Sequence, residues 1–206
     1  MFALVDKSDN SITRMLNGNK GITIGDNQYP RAIFSLWSEA ERNAINIYTV
    51  TIDESKRKDE KWYINTNITY SFDGTNATGS YGDATAKAHA NTTWTQEQID
   101  DGDAPDGADT DTVAVEGLKT ILIRNIKSQA ETELSRTDWY ITRKSEKNTA
   151  IPSAITTHRD AVRTKQDSMC TAITNASDTP ALETLYTYAE QEDGSVTRPL
   201  GELPTL

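Results

Sequence analysis

Cysteine is almost absent from this chain, and so is any long apolar run. Its one thiol, Cys170, cannot close an intrachain disulfide, so no covalent staple is available to the fold. Cys170 falls inside a helical pattern and reads as a buried structural thiol. No window approaches the roughly 18 consecutive apolar residues of a membrane span, and MFALVDKSDN lacks the basic start and apolar stretch of a secretory signal. Synthesis and folding in a cytoplasm are the expectation. Histidine is scarce too: His89 and His158 are the only two, and neither stands in an HExxH or comparable zinc-binding spacing. Positive charge is outnumbered, 21 Lys and Arg against 31 Asp and Glu, and the net charge of -10 repels nucleic acid and anionic membranes at long range.

The 206 residues that are present suffice for one ordinary domain or two small ones, around a core kept thin by an apolar fraction of 35%. The order of patterns divides the chain into a β-rich domain with a short helix (1–88), an acidic flexible linker (89–112), a helical hairpin (113–176), and a short helix with an extended tail (177–206). In the first region, Phe2 to Val5, Ser11 to Leu16, Ile22 to Ile24 and Tyr48 to Asp53 read as strands between polar turns. SLWSEAERNAI reads as a short helix capped by Ser35 or Ser38, with Glu39 and Glu41 at its positive end. WYINTNITYSFDG places Trp62, Ile64, Ile68, Tyr70 and Phe72 on alternate positions, and the turn DGTN leads into a hairpin partner over 77–86. That partner is small and polar, which places it at an edge or on a wet face.

Apolar residues recur at helical spacing at Leu118, Leu122, Ile126, Ala130 and Leu134, with Gly117 as a weak point, and again at Ile155, His158, Val162, Met169 and Ile173. Pro152 and Ser153 announce the second helix and Asn175 to Pro180 end it. Two such stripes bury one another if the helices run antiparallel, joined across Thr137 to Ile151. The fold class expected is therefore α+β: a small antiparallel β-rich N-terminal region followed by an antiparallel α-helical hairpin. Its core would comprise Leu118, Leu122, Ile126, Leu134, Ile155, Val162 and Met169. Trp139 would plug the open end of the pair, contributing about 2 kcal/mol if fully buried, while Asp138 fixes the turn through a backbone N–H.

No reaction centre emerges from the motifs. DGDAPDGADTD invites a calcium reading, but counting from Asp101 puts Asp106 where the loop needs glycine and Thr112 where it needs glutamate. Cys170 and His158 lie on one helix about 18 Å apart in rise, too far for a nucleophile and its base. SYGDATAK does not reproduce a phosphate-binding loop. Lys56, Arg57, Lys58 and Lys61 alternate with Asp53, Glu54, Asp59 and Glu60, which cancels the field needed to capture phosphate. Arg143, Lys144 and Lys147 form a second basic patch, suited to contact with an acidic protein partner. Neither an enzyme, a cofactor nor a metal is expected.

ETELSRTDWYITRKSE and IPSAITTHRDAVR, with the turn Thr137, Asp138 and Trp139, resemble the helical region of phage tail-fibre assembly and tail-assembly chaperone-like proteins. In that comparison His158 and Arg159, followed by Val162 and Arg163, stand where the family carries an aromatic–Arg and then a Leu–Arg pair. YITRKSEKNTA departs from the family's proline-rich crossing. The likeness spans Lys119 to Arg163, and YPRAIFSLWSEAERNAINIYTV is similar to the small β region that opens such proteins. It implies a bacteriophage setting, with phage tail or tail-fibre proteins as partners, in an assembly of possible symmetry, and localisation to the virion tail after synthesis in the host cytoplasm. The role expected is a noncatalytic tail structural or adaptor protein. A transient tail-fibre assembly chaperone, confined to the host cytoplasm, is the alternative. A receptor- or glycan-binding module, suggested by Trp62, Tyr63, Tyr70 and Tyr81, is a third.

Overall fold

Phe2 and Leu4 point to one side of their strand and Ala3 and Val5 to the other, and both sides are covered. That alternation organises the first of two units, Met1–Thr85 and Ala86–Leu206, in the computed structural model, which describes residues 1–206. The first unit contains β1 (Phe2–Asp6), β2 (Ser11–Leu16), β3 (Ile22–Ile24), β4 (Asn27–Tyr29), α1 (Ile33–Leu36), α2 (Glu39–Ala44), β5 (Ile47–Asp53), β6 (Tyr63–Ile64), β7 (Thr69–Phe72) and β8 (Ala77–Ser80). β9 (Thr85–Ala86) marks its boundary with the second, three residues earlier than the composition shift at 88 suggests.

Five strands form one sheet in the order β2-β1-β5-β8-β7. One face carries Ala3, Val5, Tyr48, Val50, Phe72 and Ala77; the other buries Ile22, Ile33 and Ile47 beneath the β3–β4 hairpin and the short helices. Each fully buried aliphatic side chain contributes about 1.5–3 kcal/mol, so the sheet is held from both sides. Ser38 caps α2: its Oγ accepts from the Glu41 N–H at 3.3 Å, and the Glu41 carboxylate accepts from the Ser38 N–H at 2.7 Å.

The sheet is not wholly antiparallel, because β8 pairs with β5 in parallel while β7 pairs with β8 as a hairpin. β8 is thus interior rather than an edge strand. Its small residues are what admit it there: a Cβ on Gly79 would stand 2.8 Å from Tyr70 Cε1 and 2.9 Å from Ile52 Cδ1. The expected alternation over 62–72 also breaks. Trp62 and Tyr63 are both buried and Ile64 is exposed, because the chain leaves β6 before starting β7.

The second unit contains β10 (Thr92–Thr93), α3 (Gln96–Asp100), β11 (Val113–Val115), α4 (Leu118–Ser135), α5 (Asp138–Lys147), α6 (Ser153–Asn175), α7 (Thr179–Tyr186), β12 (Ala189–Glu190) and β13 (Val196–Thr197). α4 and α6 pack together, and their direction follows from two bonds: Lys119 Nζ donates to the Thr174 carbonyl at 2.8 Å, and Arg159 Nη1 to the Leu134 carbonyl at 2.7 Å. The start of each helix meets the end of the other. Leu118, Leu122, Ile126 and Ala130 are buried on α4, and Ile155, Val162, Met169 and Ile173 on α6, at the spacing that a 3.6-residue turn requires.

Residues 89–112 are not a structureless linker. β10 pairs with β11, and α3 carries a reciprocal cap in which Thr95 Oγ1 accepts from the Gln98 N–H and Gln98 Oε1 from the Thr95 N–H. The start of that segment, with Ala88 before it, satisfies the opening of α4. The Leu118 N–H donates to the Ala88 carbonyl, the Lys119 N–H to the His89 carbonyl and the Gly117 N–H to Asn91 Oδ1. Gly117, read from sequence as a weak point, is the residue that permits this approach: its Cβ would lie 2.2 Å from the Ala90 carbonyl carbon. The C-terminal segment is likewise docked rather than simply extended. β12 and β13 form a hairpin, and Leu200 is buried with its N–H on the Leu185 carbonyl.

Candidate interaction surface

Thr137 to Ile151, expected as a plain crossing, is mostly helix. α5 starts at Asp138, directly after Thr137, and stops at Asn148, whose φ of 52° is left-handed. Lys144 and Lys147 in its last turn favour the negative end of the helix dipole. No α5 residue is buried.

That helix turns Trp139 outward. The indole is 52% exposed, so it does not plug the α4–α6 pair, contrary to the expectation from sequence. It lies instead against Tyr140, ring centroids 4.0 Å apart, with the Arg143 guanidinium 4.6 Å from the indole centroid and 5.2 Å from the phenol ring. Arg143 Nε is buried against the rings and finds no hydrogen-bond partner. Ile141 is also exposed, as are Lys144 and Lys147.

What closes the pair is Arg159. Its side chain is 9% exposed, and Nη1 donates to the Leu134 carbonyl at 2.7 Å, to Thr137 Oγ1 at 2.6 Å and to Asp138 Oδ1 at 2.8 Å. Thr137 is 1% exposed and also donates to the Leu134 carbonyl. Asp138 does fix the turn, but through this guanidinium rather than through a backbone N–H. One buried cation therefore joins the end of α4, the start of α5 and the first turns of α6. Beside it, Glu133 is 7% exposed; His158 Nε2 lies 3.2 Å from its carboxylate but off the hydrogen-bonding direction, while the Leu206 N–H donates to that same oxygen at 3.0 Å.

The other sequence-derived core residues gather as expected, with one difference: Leu118, Leu122, Ile126, Ile155, Val162 and Met169 are buried, whereas Leu134 is half-buried and serves mainly through its carbonyl. Cys170 is half-buried, and burial pushes its thiol pKa up, away from the reactive thiolate. In the first unit, Lys58 and Lys61 lie over the rings of Tyr63 and Trp62, and Lys56 and Arg57 pair with Asp83, Glu54 and Glu60. With Trp62 and Tyr63 buried, those rings offer no open stacking face.

The sequence names Arg159 only through the resemblance, as the Arg of an aromatic–Arg pair, and assigns it no structural role, although its position in the apolar register of Ile155 and Val162 is the available signal. A charge on that stripe has to find buried acceptors. No helix is long and apolar enough to cross a membrane. Comparisons with protein-family models, curated proteins and solved structures find no match to this chain.

Proposed function

We propose that this chain is a noncatalytic bacteriophage tail structural or adaptor protein that links tail or fibre components, using α5 as its contact element. The observation that carries this reading is Trp139, 52% exposed and stacked on half-buried Tyr140 and Arg143, on a helix none of whose residues is buried. Trp, Tyr and Arg are the residue types that dominate binding hot spots, because each combines a large apolar face with polar reach at modest entropic cost. The neighbouring Lys144 and Lys147 suit a partner with acidic groups beside an apolar patch. Resemblance of Lys119 to Arg163 to phage tail-assembly proteins supplies the setting, and the Arg159 node supplies the rigid seat that a contact helix needs.

Quantitative mass spectrometry of purified particles beside infected-cell lysate tests the proposal. Stoichiometric copies in mature particles support a structural or adaptor role; presence in the lysate alone replaces it with a transient assembly chaperone. Trp139→Ala and Arg143→Ala in the particle-forming system are expected to reduce incorporation while leaving the purified chain folded.

A further inference from the structure

A cleft of about 620 Å³ opens in the first unit between β2, β3 and α1, floored by Met15, Leu16, Ile22 and Phe34 and rimmed by Arg14 and Lys20. A second depression of about 420 Å³ continues it across Gly18 and Phe34 to Arg31. No Asp or Glu lines either. Arg14, Lys20 and Arg31 are exposed and make no ion pair. Three unpaired cations around an apolar floor are conspicuous in a chain of net charge -10. A ligand for this groove needs negative charge beside exposed aliphatic side chains.

The second unit carries such a surface. Between Lys87 and Lys119 there is no Lys or Arg, but there are eight Asp and Glu. β11, which follows the acidic run, turns Val113 (44% exposed) and Val115 (60% exposed) to solvent, with half-buried Ala114 between them. Because side chains alternate along a strand, the two valines share one face, and the exposed Asp111 precedes them by two residues in the turn that leads into the strand. Asp103, Asp106 and Asp111 form no ion pair that would spend their charge within the unit.

We infer that the protein self-associates head to tail, the acidic β11 surface of one copy seating its valines in the cleft of the next copy while Asp103, Asp106 and Asp111 face Arg14, Lys20 and Arg31. The two surfaces differ, so the contact is heterologous and can propagate into a ring or a filament. This inference does not depend on the tail role. Its attraction combines apolar burial with charge complementarity, which makes it strongest at low ionic strength.

Sedimentation velocity of the full chain over a concentration series, at low salt and at about 0.5 M salt, reads the association directly. Wild type is expected to sediment faster as concentration rises, and less so in salt. The reversed-cleft variant R14E/K20E/R31E and the reversed-segment variant D103K/D106K/D111K are each expected to associate about tenfold or more weakly. Their equimolar mixture is expected to recover association, since each then offers the other an opposite charge. All six positions are exposed, and circular dichroism with thermal melting confirms that each variant is folded; neutral R14Q/K20Q/R31Q or D103N/D106N/D111N replaces the corresponding variant that is not. Wild type that stays monomeric throughout overturns the inference. So does association that neither variant weakens, or a mixture that recovers nothing.

Discussion

Arg159→Met retains an unbranched apolar side chain while removing the guanidinium that donates to Leu134, Thr137 and Asp138. Hydrogen bonds from a charged donor are worth about 1.5–3 kcal/mol each, but they are not additive when one nitrogen makes all three. The Leu134 carbonyl keeps its bond from Thr137 Oγ1, and the Asp138 carboxylate, 60% exposed, returns to water. Those two facts discount the loss, leaving an expected destabilisation of about 2–3 kcal/mol. Urea unfolding followed by far-UV circular dichroism measures it as a lower midpoint at unchanged slope. Trp139→Ala, by contrast, removes a half-exposed ring from a helix with no buried residue and is expected to cost under about 0.5 kcal/mol. If Trp139→Ala proved as costly as Arg159→Met, the assignment of the structural lock to Arg159 would be refuted.

Further outcomes follow from close approaches and from charge. Gly117→Ala forces a Cβ to within 2.2 Å of the Ala90 carbonyl carbon, so the bend covering the α4 terminus must move; a loss of about 1–3 kcal/mol in thermal or urea unfolding is expected. Gly79→Ala meets Tyr70, Ile52 and Ile68 inside 3 Å and should destabilise the first unit similarly, read by limited proteolysis of that unit. Folded-state carboxyl pKa values are lowered at Glu116, chiefly by its hydrogen bond from Arg124, at Asp73 by the Asn76 and Thr75 N–H groups, and at Glu41 by Ser38. A depressed folded pKa gives stability that is complete above the unfolded carboxylate range, near pH 4, and is lost as pH falls below it. The urea midpoint should therefore drop below about pH 4. The raised Cys170 pKa and its partial burial should make a thiol reagent react slowly with native protein and quickly in urea.

The division into a β-rich half and a helical half was legible because both patterns are written in apolar residues: Phe2 to Val5 form a short apolar run closed by the polar turn DKSDN, and Leu118, Leu122 and Ile126 recur every fourth residue. β8 was misread because strand position depends on a nonlocal partner. Ala77 and Gly79 look like wet-edge residues until Tyr70 and Ile52 fill the space above them. Residues 89–112 looked unstructured by composition, yet their order comes from a local cap at Thr95 and from pairing with 113–115, neither of which composition records. At the candidate site, Lys144 and Lys147 are exposed, whereas Arg143, expected in the same exposed patch, is half-buried against the rings of Trp139 and Tyr140. Trp139 was not read as surface, since the usual weight given to a large ring favours burial, and only the helical continuation after Thr137 turns it outward.

The adaptor reading is tested most directly by a reconstruction of the assembled phage particle in which this chain is located. It expects α5 to be covered there by a second protein, with Trp139 and Arg143 against an apolar patch edged by carboxylates. A particle holding no copies of the chain, or holding them with Trp139 and Arg143 facing solvent, would contradict it.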